Sequence, residues 1–301
     1  MPRPRAPKTR RIVVFGDVID DIVVVPSVPV RTDTDTPSSI RHRAGGSAAN
    51  AAAWLGSLGA PVDFVGRVGA SDIQRHAQYL EDAGVDARLS MDPILPTGTI
   101  VVIVDGERRN MLTERGANAN LDPEAVTDDL LDAAGLLHLT GYSVVDSSDP
   151  AGLRRLIQRA RDRGVDVSMD PGSAGYIADY GPDRFLEAIR GVNLLFPSLA
   201  EGRALTGETN PHAVAEALAQ RFGVVALTVG GDGVIVARAG HTSTRVAAIP
   251  SRVLDPTGAG DAFCAGFIES WNRLANATSA AKAGVRLAAR AVTFIGGRPP
   301  A

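Results

Sequence analysis

Residues 149–169, DPAGLRRLIQRARDRGVDVSM, contain the unit from which the rest of the chain is built. Asp149 and Pro150 supply an N-cap and a first helical residue. Leu153, Leu156, Ile157 and Ala160 recur at helical spacing, and Gly164 closes the helix. Residues 165–169 follow at once as a short strand. The alternation extends in both directions. Toward the N-terminus it predicts strands at 12–16 and 62–65 and helices at 47–58 and 71–83, the helices stopped by Gly59 and Gly84. Toward the C-terminus it predicts strands at 192–196 and 224–229. A helix capped by Asn210-Pro211 lies between them, and two closing helices follow at 259–274 and 278–293. Strands alternating with helices of this length imply an α/β fold with a mainly parallel sheet covered on both faces. Ligands of such sheets bind beyond the carboxyl ends of the strands.

Two stretches break the rhythm. Residues 22–43 are β-rich with prolines at 26, 29 and 37, and residues 97–115 read as an antiparallel hairpin, 99–105 and 108–113 about a turn at Gly106. They predict a small β lid inserted in two pieces over one end of the sheet. Residues 1–11 read as a disordered basic tail, and residues 12–301 as a single domain. The tail is not the start of a secretory signal, because Asp17, Asp20 and Asp21 interrupt the apolar run that follows it.

Composition narrows the chemistry. The chain of 301 residues has 45% hydrophobic and 22% charged residues, an ordinary globular balance. Its 31 basic residues include two lysines, Lys8 and Lys282, so 29 are arginines. Neither lysine follows a glycine loop, which excludes a Walker phosphate loop, and neither suits Schiff-base catalysis. Cys264 is the single cysteine and the five histidines are scattered, so no cysteine-based zinc site is expected. A net charge of −3 argues against a nucleic-acid partner, and no apolar run is long enough for a membrane span. The expectation is a cytoplasmic enzyme.

The strongest chemical signal is Asp255-Pro256-Thr257-Gly258-Ala259-Gly260-Asp261, followed by Phe263, Phe267 and Trp271 at intervals of four. That stripe starts a helix near Ala259, so the glycines sit at its N-terminus, where free N–H groups and the helix dipole favour an anion. Asp261 falls in the first turn, where the dipole is expected to keep it ionised as a general base. The run is not a dinucleotide fingerprint, since Phe263 occupies the third glycine position. A second glycine turn, Gly45-Gly46-Ser47-Ala48-Ala49-Asn50, opens the first long helix, and Asn50 could present its amide to a neutral polyol. Asp21 lies beyond the first strand and suits vicinal hydroxyls; composition does not decide between it and Asp20. Leu227-Thr228-Val229-Gly230-Gly231-Asp232-Gly233 reads either as a plain hairpin turn or as backbone that a flat purine can approach.

The segment from Gly45 to Asn50, with Gly66-Arg67-Val68-Gly69 and Asp72, resembles the first signature of ribokinase-like (PfkB-type) carbohydrate kinases. The segment from Asp255 to Phe263 resembles the second. Pro96-Thr97-Gly98-Thr99 and Arg115-Gly116-Ala117-Asn118-Ala119 resemble ribokinase in the lid. The likeness runs from about residue 12 to 297, with the motifs in family order. It implies a three-layer α/β/α fold with a β lid, and transfer of the γ-phosphate of ATP to a hydroxymethyl group of a small sugar. It makes Asp261 the base and the N–H groups of Gly258, Ala259 and Gly260 the anion hole. Asp21, Gly45, Gly46 and Asn50 become the sugar site, and Thr228, Gly230 and Gly233 the nucleotide site. Glu201 is placed near a hydrated Mg²⁺. Asp255 and Thr257, with the carbonyls of Ala291, Phe294 and Gly296, match a K⁺ site. Where the family commonly shows Asn-x-x-Glu, this chain has Ser198-Leu199-Ala200-Glu201, which implies weaker metal organisation. The resemblance leaves open a nucleoside acceptor, and also a non-catalytic sugar-binding regulator. Family members often form homodimers through their lids, although monomers occur.

Overall fold

The computed structural model describes residues 10–105, 108–145 and 149–300. Nine strands form one sheet and four form another. In chain order the strands are β1 (Arg11–Phe15), β2 (Ile19–Pro26), β3 (Ser38–Gly45), β4 (Val62–Gly69), β5 (Val85–Asp92), β6 (Gly98–Asp105), β7 (Arg108–Glu114), β8 (Ala134–Thr140), β9 (Asp166–Asp170), β10 (Leu194–Leu195), β11 (Val224–Thr228), β12 (Val234–Ala237) and β13 (Thr244–Val246). The large sheet runs β13-β12-β11-β10-β9-β8-β1-β4-β5. It is parallel from β11 to β5, and β12 and β13 are antiparallel additions at one edge.

Alternation along β1 divides the core. Ile12 and Val14 face one apolar cluster with Trp54, Phe263 and Phe267, while Val13 and Phe15 face another with Leu137, Leu156 and Phe185. Both faces of the sheet are therefore covered by helices, which gives three layers. The Phe263, Phe267 and Trp271 stripe packs as its spacing predicts, with Phe267 fully buried and its ring 6.1 Å from that of Trp271. Burying a side chain of this size contributes about 1.5–3 kcal/mol.

From β1 the chain builds outward through β4 and β5, then crosses back to β8 and builds the other way. The switch point lies between β1 and β8, where a crevice opens beyond the strand ends. β2, β3, β6 and β7 are joined in a sheet of their own, β3-β2-β6-β7, with β6 and β7 antiparallel and β2 parallel to β6.

Several boundaries differ from the sequence reading. Arg11 opens β1 rather than closing a tail, because its side chain pairs with Asp63 on the neighbouring β4 and with Asp86 on β5, the next strand out. Residues 1–9, with most of the expected tail, and the expected turn at Gly106 lie outside the described residues. The helix expected over 71–83 is shorter, Ile73–Glu81, and the strand expected over 192–196 shrinks to Leu194–Leu195. β8, which the sequence reading passes over, lies beside β1 at the middle of the sheet. Among the described residues no helix is long and apolar enough to cross a membrane.

Candidate active site

The carboxyl ends of the parallel strands open into a polar pocket of about 300 Å³. Asp17 follows β1, Tyr142 follows β8, Asp170 ends β9, and Thr228 ends β11; all four line it. The sheet thus delivers polar groups to one place from strands far apart in sequence.

Asp17 is spent on structure. Its carboxylate accepts from the N–H groups of Ser47 (2.9 Å) and Ala48 (3.3 Å), so it caps the Ser47–Ser57 helix, and it also accepts from Thr140 Oγ1 at 3.1 Å. The helix can start there because Gly46 takes φ +91°, where an added Cβ would meet the Asp17 carbonyl at 2.5 Å.

Asp261 lies at the pocket floor in the first turn of the Ala259–Leu274 helix. Its carboxylate accepts from Ser47 Oγ at 2.7 Å and from Asn50 Nδ2 at 2.9 Å. Burial pushes its pKa up to about 6, while the two hydrogen bonds pull the other way. The dipole is therefore not the controlling influence that the sequence suggested: removal from water outweighs it. The group is still mostly ionised at neutral pH. Asn50 also departs from expectation. Its amide is committed to Asp261, and its Oδ1 accepts from Arg298 Nε at 3.3 Å.

The lid register resolves the choice between Asp20 and Asp21. Asp21 pairs with Ile100, and Val23 and Met111 both pair with Val102, so Asp21, Ile100 and Met111 belong to the side that reaches the pocket. Asp20 turns the other way and is held by Arg75 through two bonds of 2.7 Å. Burial raises the Asp21 pKa to about 7, against the pull of Arg298. Gly45 lies against the Asp21 carboxylate, where a side chain would collide.

Gly258 is the N-cap of the Ala259–Leu274 helix at φ +75°, and a Cβ there would lie 2.5 Å from the backbone of Gly297. Gly258 and Gly260 line the polar pocket. Ala259 departs from the expected anion hole: its N–H donates to the Pro256 carbonyl at 3.3 Å, and the residue lines a second cavity instead. N–H groups of a first helical turn have no intrahelical acceptor, so the turn can still hold an anion.

That second cavity, about 570 Å³, is mostly apolar. It is lined by Gly230, Gly233, Ile249, Val253, Val285, Ala288 and Val292, and it shares Thr228, Gly260 and Phe263 with the polar pocket. The structure bears out the hairpin turn at 227–233, where β11 turns into the antiparallel β12, and also places its glycines at a cavity wall.

Glu201 lines the polar pocket and is buried, which raises its pKa. Ser198 caps the Leu199–Thr206 helix: Ser198 N–H donates to Glu201 Oε2 at 2.8 Å and Glu201 N–H to Ser198 Oγ at 3.3 Å. Asp170 is half-buried nearby, and its removal from water and the Glu201 charge raise its pKa well above the carboxylate range. Among the described residues no cluster of three or more His, Cys, Asp or Glu could form a metal cage. Two carboxylates in a pocket that also holds a helix N-terminus do suit Mg²⁺, which keeps most of its waters. Beside the apolar-cavity residue Pro256, Asp255 accepts from Thr257 N–H (2.9 Å), Thr257 Oγ1 (2.6 Å) and Gly296 N–H (3.0 Å). The loop thus meets the end of the Ala277–Ala291 helix, and the Ala291 carbonyl accepts from Phe294 N–H at 3.1 Å.

Sequence reasoning missed Asp17, Ser47, Asp170, Tyr142 and Arg298. Asp170 had a legible signal, a carboxylate ending a parallel strand before Pro171-Gly172. Arg298 had none. Cys264 is a buried thiol 3.7 Å from Asp170 Oδ2.

Comparison with known proteins agrees with the fold. The model of the "pfkB family carbohydrate kinase" matches residues 9–301. The chain is 33% identical over 271 residues to an ATP-dependent ribose-1-phosphate kinase of Halopiger xanaduensis, covering 87% of this chain and 84% of that one. It is 29% identical over 270 residues to a ribokinase of Arabidopsis thaliana, covering 85% and 69%. The crystal structure of an adenosine kinase from Sinorhizobium meliloti superposes with a TM-score of 0.87 at 25% identity, covering 97% of both chains.

Proposed function

This chain belongs to the pfkB family of carbohydrate kinases, and from that premise we propose that it phosphorylates the hydroxymethyl group of a small ribose- or ketose-like sugar. The chemistry itself is that of an ATP-dependent sugar or nucleoside kinase, a phosphotransferase with an alcohol acceptor. One observation carries the assignment of roles. Asp261 sits where a polar pocket bearing Asp21 and Asn50 meets an apolar cavity, the two sharing Gly260, Phe263 and Thr228.

In this reading the apolar cavity takes the adenine and ribose of ATP against Gly230 and Gly233. Its phosphates run toward the first turn of the Ala259–Leu274 helix. The acceptor lies in the polar pocket under Ile100 and Met111 of the lid, with its hydroxyls on Asp21. Asp261 Oδ accepts the proton of the attacking hydroxyl as the oxygen bonds to the γ-phosphorus and ADP leaves. The N–H groups of Gly258 and Gly260 stabilise the charge that develops on the phosphoryl oxygens, work worth about 3–4 kcal/mol per donor in comparable sites. Asp170 and Glu201 would hold a hydrated Mg²⁺, which supplies neutralising charge to the phosphates when bound. Asp255, Thr257 and the carbonyls of Ala291, Phe294 and Gly296 would take K⁺. Lid closure excludes water and limits loss of ATP to hydrolysis. Ile40 and Leu112 are exposed on the lid side that carries Asp20, which supports homodimer pairing there.

The test is an acceptor screen by ADP release, with and without K⁺, over ribose, ribose 1-phosphate, fructose, 2-keto-3-deoxygluconate, adenosine and pseudouridine. Release with a sugar supports the reading. A preference for adenosine or pseudouridine replaces the sugar with a nucleoside. Tight sugar binding without release overturns catalysis.

A further inference from the structure

The chain's last described segment reaches into the site from behind. Gly297 is wedged between the two glycine turns: its carbonyl accepts from Trp54 Nε1 at 2.9 Å, and its Cα lies where a Cβ on Gly258 would fall. A side chain on Gly297 would collide with the Asn50 amide. This packing places the half-buried Arg298 guanidinium beside the Ser47–Ser57 helix. Arg298 Nε donates to Asn50 Oδ1 at 3.3 Å, and Nη2 donates to the Gly45 carbonyl at 3.0 Å. Nη1 is buried with no hydrogen-bond partner among the described residues.

An asparagine amide has two faces, an acceptor and a donor, and little to choose between them unless both are engaged. Asn50 Nδ2 must face Asp261, because the flipped amide would set Oδ1 against a carboxylate oxygen. Arg298 enforces that orientation from the other end, since a guanidinium has donors and no acceptor. The same fork holds the Gly45 carbonyl, and so the turn that abuts Asp21. The charge lies near Asp17, Asp20, Asp21 and Tyr79, and it also acts on Asp261. It therefore partly offsets the acidity of the acceptor end.

We propose that Arg298 is a positioning residue for phosphoryl transfer: through Asn50 it fixes Asp261, and through Gly45 it fixes the wall that carries Asp21. The inference rests on Asp261 being the base. Lysine cannot replace it, because a single ammonium on a flexible stem does not reproduce a planar fork with two fixed directions.

The experiment is a double-mutant cycle with Arg298→Met and Asn50→Ala, read as kcat and as KM for ATP with the acceptor that the screen gives the highest turnover. Misplacing a catalytic group by about 1 Å can cost 10²-fold, so Arg298→Met is expected to lower kcat about 10- to 100-fold and leave KM for ATP within about twofold. In the Asn50→Ala background the same change is expected to cost less than about threefold, because the two residues act in series. Arg298→Lys runs as a parallel arm in case the methionine variant does not melt cooperatively; it is expected to melt near the parent and to show the same coupling. Equal losses in both backgrounds overturn the proposal, as does full turnover in Arg298→Lys. Asp261→Asn is measured alongside. If it keeps near-parental turnover, the base assignment has failed; if it is inactive and the cycle is additive, the role of Arg298 has failed alone.

Discussion

The polar pocket gathers five carboxylates, Asp17, Asp21, Asp170, Glu201 and Asp261, around about 300 Å³, whereas the neighbouring cavity of about 570 Å³ is walled by Ile249, Val253, Val285, Ala288 and Val292. They share three residues and almost no chemistry. The polar pocket binds through directed hydrogen bonds and holds charges at a desolvation cost, visible in the raised pKa values of Asp21, Asp170, Glu201 and Asp261. The apolar cavity binds by burial, which is tolerant of detail. In the proposed reading the reactive step belongs to the seam. Gly260 and Phe263 lie on both walls, and Asp261 stands between them.

Substitutions on the two sides are expected to fail in different kinetic constants. The largest effect is expected at the seam. Asp261→Asn removes the base and should lower kcat by about 10²–10⁴, with acceptor binding retained by calorimetry. The parent enzyme gives the matching pH dependence. A base with a pKa of about 6 is protonated as pH falls, so kcat should be level above that value and drop about tenfold per pH unit below it. A level profile down to pH 4.5 would break the assignment.

An intermediate effect is expected in the apolar cavity. Ala288→Trp fills the space proposed for the base of ATP and should raise KM for ATP about 10- to 100-fold, the loss of roughly 1.5–3 kcal/mol of apolar burial. Acceptor KM should stay within about twofold. A change in acceptor KM of the same size would merge the two cavities into one functional unit.

The smallest expected effect lies at the far wall of the polar pocket, and it has two signs. Asp21→Asn weakens a charged hydrogen bond to substrate and should raise acceptor KM about tenfold. It should also stabilise the protein at pH 8. The folded pKa of Asp21, about 7, lies above an unfolded value of about 3.9, so the folded state binds the proton more tightly. The favourable contribution is full below about pH 4 and is lost as pH rises through 7. Asparagine carries no charge to bury, so the variant's Tm at pH 8 should rise by about 2–4 °C per kcal/mol recovered, by calorimetry.

Local signals made much of this legible. Alternating elements, the caps at Asp149 and Asn210 and the glycine stops each act within a few residues, so spacing alone discloses them. The helix over Ala259–Leu274, with its aromatic stripe and its acid in the first turn, was readable for the same reason. The weak points were segments whose form depends on partners. β10 keeps two residues, a length that spacing alone could not give. Arg11 leaves the basic tail because Asp63 and Asp86 wait on β4 and β5.

The layer architecture, the lid strands and the glycine turn at Gly258 are legible along the chain, because periodicity and backbone permissiveness are properties of neighbours in sequence. The electrostatics follows from contacts between distant parts of the chain. Asn50 reaches Asp261 across 211 positions and Arg298 reaches Asn50 across 248, and Asp170 meets Glu201 through the parallel order of the sheet. Which carboxylate is desolvated, which is capped and which is left to take a proton follows from burial and from those distant partners. Neither is written in the spacing of residues along the chain.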